Sequence, residues 1–149
     1  MDSKDIGNIS ELAIIMEFRK KGIPVFIPFG DSCPFDLVVY VNDKFYRIEA
    51  KTGRPTENGC IEFASCTTTY DRSKGRSRKR INYMDKADFF GVYYPQNEQC
   101  YLIPINKDLP KALVCLRLNS PKNGHKKHIR WASDYEFDIQ IEKLIGGVV

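Results

Sequence analysis

A mixed α/β sandwich is the fold class that this sequence predicts. Three observations carry the prediction: a helical apolar stripe near the start, hairpin-like pairs of short strands through the middle, and a helical pattern in the tail. At 149 residues the chain suits one domain with a sizeable core, spanning 1–149 without a linker or repeat.

Residues 8–21, "NISELAIIMEFRKK", read as the first helix. Asn8 or Ser10 can cap it, and Ile9, Leu12, Ala13 and Met16 form an apolar stripe. Arg19, Lys20 and Lys21 suit its last turn, and Gly22 suits the position just beyond it. "VFIPF" reads as a short strand. Strands 36–41 and 44–51 meet through Asn42-Asp43, a tight hairpin turn. Residues 60–65 read as a returning strand and 66–82 as a polar, basic loop. Strands follow at 88–94 and 100–105. "DLPKALVCLRL" reads as a short helix entering a strand, "NSPKNGHKKH" as a second basic loop, and the tail as a helix capped at Ser133-Asp134.

Composition excludes several classes. No run of eighteen apolar residues predicts a membrane span, and the N-terminus lacks a secretory pattern. Five cysteines without CxxC spacing read as buried, reduced thiols of an intracellular, cytoplasmic protein. His125 and His128 match no zinc spacing, and Trp131 reads as packing. The net charge of +4 is unevenly spread: residues 51–82 carry 8 basic and 3 acidic side chains. That cluster suggests a polyanionic partner, against the plainer reading of a solvated loop.

The stretch "FDLVVYVNDKFYRIEAKTG" carries the chemistry. Side chains alternate along a strand, so Phe45, Arg47, Glu49 and Lys51 share one face and Tyr46, Ile48 and Ala50 the other. Glu49 and Lys51 point the same way, about 7 Å apart. The turn brings Asp36 to the same end. Two carboxylates beside an amine suit Mg²⁺, with the Ala50 carbonyl as a further oxygen. A cation there neutralises charge on an attacked phosphate and activates water, and a lysine orients or deprotonates that water. A surface salt bridge to Lys51 is the competing reading.

The spacing D-x12-ExK behind an acid-bearing helix resembles the PD-(D/E)XK nuclease superfamily. Pro34-Phe35-Asp36 stands for the "PD", with one residue inserted, and Glu49-Ala50-Lys51 for the "ExK". The likeness runs from about residue 6 to 105 and extends to "YLIPI". It is strongest to the homing endonucleases of this superfamily that bacterial group I introns encode. The resemblance implies a restriction-endonuclease-like core, a central mixed β-sheet flanked by helices. It implies Asp36 and Glu49 as metal ligands, Lys51 as the catalytic lysine, and Glu11 as support for the metal or its water shell. Residues 106–149 are left as an extension for oligomerisation or DNA contact.

The implied activity is Mg²⁺-dependent cutting of double-stranded DNA at a specific sequence, with Mn²⁺ as a substitute and nucleoid association during action. The alternatives are a Holliday-junction resolvase and a catalytically silent DNA-binding protein on the same fold. Arg72, Lys74, Arg76, Arg78, Lys79 and Arg80 are the leading DNA contacts, with the loop from Lys122 to Arg130 second. One active site cuts one strand, so a double-strand break predicts a homo-oligomer, either a dimer or a tetramer.

Overall fold

The computed structural model describes residues 1–71, 73, 75, 77–119 and 128–146, apart from the side chains of 68–71 and 77–79. Helix α1 runs from Ser3 to Lys20. It starts five residues before its predicted start because Asp2 caps it, accepting from the Asp5 N–H at 2.9 Å. It ends as expected. Gly22 adopts φ +73°, and the N–H groups of Gly22 and Ile23 bond back to the carbonyls of Arg19 and Phe18.

Strands β1 (Val25–Phe26), β2 (Leu37–Val41) and β3 (Lys44–Thr52) follow, then β4 (Arg54–Pro55) and β5 (Cys60–Ala64). Asn42 and Asp43, at φ +52° and +63°, make the predicted two-residue turn between β2 and β3. The span read as a basic loop is instead a hairpin of β6 (Cys66–Asp71) and β7 (Ser77–Asn82). Its threonines favour extended backbone even where no apolar alternation announces a strand. Strands β8 (Phe89–Tyr94), β9 (Gln99–Pro104) and β10 (Leu113–Arg117) lead to a 3-10 helix (Ala132–Tyr135) and α2 (Phe137–Ile145). Residues 108–112 form a turn followed by bends rather than the expected short helix. Ser133 and Asp134 lie inside the 3-10 helix, so Glu136, not either of them, is the cap of α2.

The central sheet has the order β1-β2-β3-β8-β9. It is mixed, since β3 pairs with β8 in parallel and its other neighbours pair antiparallel. One face carries α1 and α2 over Ile48, Phe89 and Leu102, with Phe18 and Phe137 in edge contact at 4.7 Å. The other face carries β10-β5-β4, a second sheet whose Ile61, Phe63, Val114 and Leu116 pack on Phe90, Val92 and Ile103. Both cores use the same strands, because alternate residues of β8 and β9 point to opposite faces.

Two expectations change here. The buried side of α1 is Ser10, Ile14 and Phe18, while Ile9, Leu12 and Met16 of the predicted stripe are exposed. Helix α1 is apolar on both sides, so periodicity alone marks two candidate faces. Of the cysteines, Cys60 and Cys100 are buried, but Cys115 is exposed. All five are free thiols, and Trp131 is half-buried where residue 131 bridges to Arg117. No helix among the described residues is long and apolar enough to cross a membrane.

Candidate active site

The site lies where β2 begins and β3 ends. The antiparallel register sets Leu37 against Ile48, and the Asp36 N–H bonds to the Ile48 carbonyl at 3.0 Å. There the chain leaves the sheet through Pro34-Phe35. The Asp36 carboxylate takes over the ladder and accepts the Ala50 N–H at 2.8 Å. This bond orients Asp36. The N–H and C=O of one strand residue project from the same side, so the Ala50 carbonyl also looks toward Asp36.

Glu49 and Lys51 project from β3 on the face away from α1, as alternation requires. Lys51 Nζ stands 3.7 Å from Glu49 Oε1, and both side chains are largely enclosed, 18% and 13% exposed. The pair is therefore not the surface salt bridge of the competing reading. Arg47, on the same face, has a structural task. It grips Asp88 through two side-chain bonds of 3.1 and 3.2 Å, and its own N–H adds a third at 2.7 Å. That clamp fixes β3 to the start of β8.

Tyr83 completes the site, and sequence reasoning missed it. Its hydroxyl donates to Glu49 Oε1 at 3.1 Å, and its ring lies 4.9 Å beneath Lys51 Nζ. Thr67, on β6, is a further polar neighbour that acts against the rise in the tyrosine's phenol pKa. A single tyrosine just after a basic stretch carries no motif, and the only signal was its place next to β8. Burial, followed by the Glu49 charge, pushes its phenol pKa up.

The electrostatics are those of crowded acids. Burial, with the Asp36 charge adding to it, raises the Glu49 pKa to about 7, against opposition from Lys51 and Tyr83. Glu11 is raised in the same direction, by burial and then by Asp36. Glu11 reaches the site from α1, on the opposite side of the sheet from Glu49. Among the described residues no three His, Cys, Asp or Glu side chains gather as a metal-binding group. The structure thus brings Asp36, Glu49 and Lys51 together and keeps Glu11 as a neighbour of Asp36. The donor chemistry fits a hard cation, which is commonly held by one or two carboxylates with carbonyl, water and phosphate oxygens. A cation would relieve the strain that raises the Glu49 pKa.

A cavity of about 790 Å³ continues from Lys51, lined by Ser10, Thr52, Arg54 and the first turns of α1. Ser10 and Thr52 hydroxyls meet at 2.6 Å on its wall. The basic hairpin β6–β7 leads into Tyr83. Arg80 is exposed on β7, while Arg78 and Lys79 pair with Tyr70 and Thr69. Arg72, Lys74 and Arg76, and residues 122–127 of the second basic loop including His125, lie outside the described residues.

Paired carboxylates beside a lysine, set at one end of a sheet hairpin, are the equipment of a nuclease. A family model described as PD-(D/E)XK endonuclease matches residues 1–138, and the chain belongs to that family. The structure of a bacterial homing endonuclease, I-Ssp6803I, is similar over 99% of this chain and 97% of that one, with a TM-score of 0.78. At 21% identity this likeness shows the shared fold. Among curated proteins, none matches the chain.

Proposed function

We propose that this endonuclease hydrolyses phosphodiesters in double-stranded DNA at a specific sequence, in the manner of a homing endonuclease, with Mg²⁺ as its cofactor. The observation that carries the reading is the convergence of Asp36, Glu49 and Lys51 in one enclosed site. The similarity to a homing endonuclease supports the narrower class. Asp36, Glu49 and the Ala50 carbonyl would hold Mg²⁺, with Mn²⁺ as a substitute and Glu11 supporting the water shell. When bound, the cation supplies charge neutralisation at the phosphate and a more acidic water.

The chain's own residues do the rest. Lys51 orients the attacking water and takes part of the charge that develops on the phosphate oxygens. Tyr83 holds the Glu49 carboxylate in place and carries Lys51 on its ring. Water oxygen bonds to phosphorus, the bond to the 3′ oxygen breaks, and that oxygen takes up a proton. The ends are a 5′-phosphate and a 3′-hydroxyl. The cations of the β6–β7 hairpin would follow the DNA backbone. Each site cuts one strand, so two or more copies make the double-strand break.

The test is cleavage of supercoiled plasmid carrying a randomised insert library, in Mg²⁺ and then Mn²⁺. Linear product enriched for one insert is expected from the wild type. Lys51→Ala is expected to lower the rate by about 10²–10³-fold. A wild type that binds DNA but cuts nothing, or that cuts only four-way junctions, overturns the reading.

A further inference from the structure

We propose that the outer side of α1 is the seam at which two copies of this chain associate, antiparallel, about a twofold axis between Leu12 and Ala13. The proposal rests on the reading that two copies are needed to cut both strands. It adds the surface and the register. With Ser10, Ile14 and Phe18 turned to the sheet, the outer side carries Leu12 and Met16 at 65% and 56% exposure, and Ile9, 42% exposed, continues the line at the rim of the cavity beside Lys51. Isolated exposed apolar side chains are ordinary, but these three recur at spacings of three and four, the spacing of a helix–helix seam. A continuous apolar stripe of this kind marks an interaction surface.

The charges on the same line choose the occupant. Asp5 lies one turn before Ile9, and Lys20 lies one turn after Met16. In an antiparallel pair turned about the centre of the stripe, Ile9 meets the second copy's Met16, the two Leu12 side chains lie on either side of the axis, each over the edge of the half-buried Ala13 that packs on the core, and Asp5 meets its Lys20. Every contact is then made twice, as a twofold interface requires. A parallel pair would set Asp5 on Asp5 and Lys20 on Lys20, which like charges oppose. Lys20 already touches Glu17 at 3.2 Å, yet it is 62% exposed and within reach of a partner. DNA does not suit this surface, because no Lys or Arg occurs between Lys4 and Arg19.

Sedimentation of the full chain tests the seam. Compared with the wild type, Leu12→Asp is expected to weaken association at least tenfold, about 1.4 kcal/mol. Asp5→Lys and Lys20→Asp are each expected to weaken it, and the double variant to restore it. Circular dichroism checks that each variant is folded, as exposed positions allow. A monomeric wild type, or a Leu12→Asp protein that associates normally, overturns the seam. A double variant no stronger than the singles overturns the antiparallel register. Plasmid cutting is read in parallel, with Leu12→Asp expected to nick but no longer linearise. A protein that associates through α1 and cuts nothing leaves the seam standing while the nuclease reading falls. A cutting enzyme whose assembly ignores Leu12→Asp does the reverse.

Discussion

Glu49 is held in tension by its surroundings. Burial and then Asp36 raise its pKa to about 7, so the folded protein keeps a proton there that the unfolded chain has already released. The stabilisation that protonation brings is complete at acid pH and is lost as pH rises through about 7. In a chelator near pH 8, Glu49→Gln should therefore be more stable than the wild type, by on the order of 1–3 kcal/mol, with little difference near pH 5. Thermal melts at the two pH values check this, and equal melting at both would refute it. Mg²⁺ should then raise the melting temperature of the wild type and leave that of the glutamine variant nearly unchanged. Asp36, Glu49 and Lys51 were legible in the sequence because strand alternation and one tight turn suffice to bring them together. Tyr83 was not, because its neighbours in space come from three separate strands.

At the scale of elements, α1 is seated by an absence. A β-carbon on Gly91 would stand 2.9 Å from Ile14 Cγ2 and 3.2 Å from Ile48 Cγ2. Gly91 therefore lets the helix lie close on β8, and Gly91→Ala should push the two apart. The expected cost is about 1–3 kcal/mol, read as a lower urea midpoint. A midpoint unchanged from wild type would mean the helix can shift without loss. This seat explains why the buried side of α1 escaped sequence reasoning. Ile9, Leu12 and Met16 and the pair Ile14 and Phe18 satisfy helical periodicity equally well. What decides between them is the glycine on β8 and the Ser10–Thr52 hydroxyl pair, both distant in sequence. The β6–β7 hairpin escaped for a different reason: charged strands that form their own ribbon bury no alternating apolar face.

At the scale of the molecule, one sheet serves two cores. Phe89 and Leu102 face the helices, and Phe90 and Ile103 face the second sheet. Neither core can come apart without exposing strands that the other needs. Ile14→Ala in one core and Ile61→Ala in the other should each cost about 2–5 kcal/mol. Each should shift a single transition, seen alike by far-UV circular dichroism and by the fluorescence of Trp131, the only tryptophan. Two separated transitions would contradict the shared sheet. The mixed architecture was readable from the order of helical and strand patterns. The second sheet was not, because β5 finds β10 across some fifty residues of intervening chain.

The two-residue turn at Asn42-Asp43 lies a full strand away from the carboxylates, yet it sets their phase. With Lys44 against Val41, the sixth and eighth residues after the turn, Glu49 and Lys51, fall on the face away from α1, and the fifth and seventh, Ile48 and Ala50, fall toward the helices. One extra residue at the turn would shift the beat of β3 by half a cycle against β2. Glu49 and Lys51 would then lie beneath α1, and Ile48 and Ala50 would point to the face they had left. The end of the hairpin that carries the candidate site is thus counted off from its quiet end, and the turn shapes that site as much as the residues that would hold the metal.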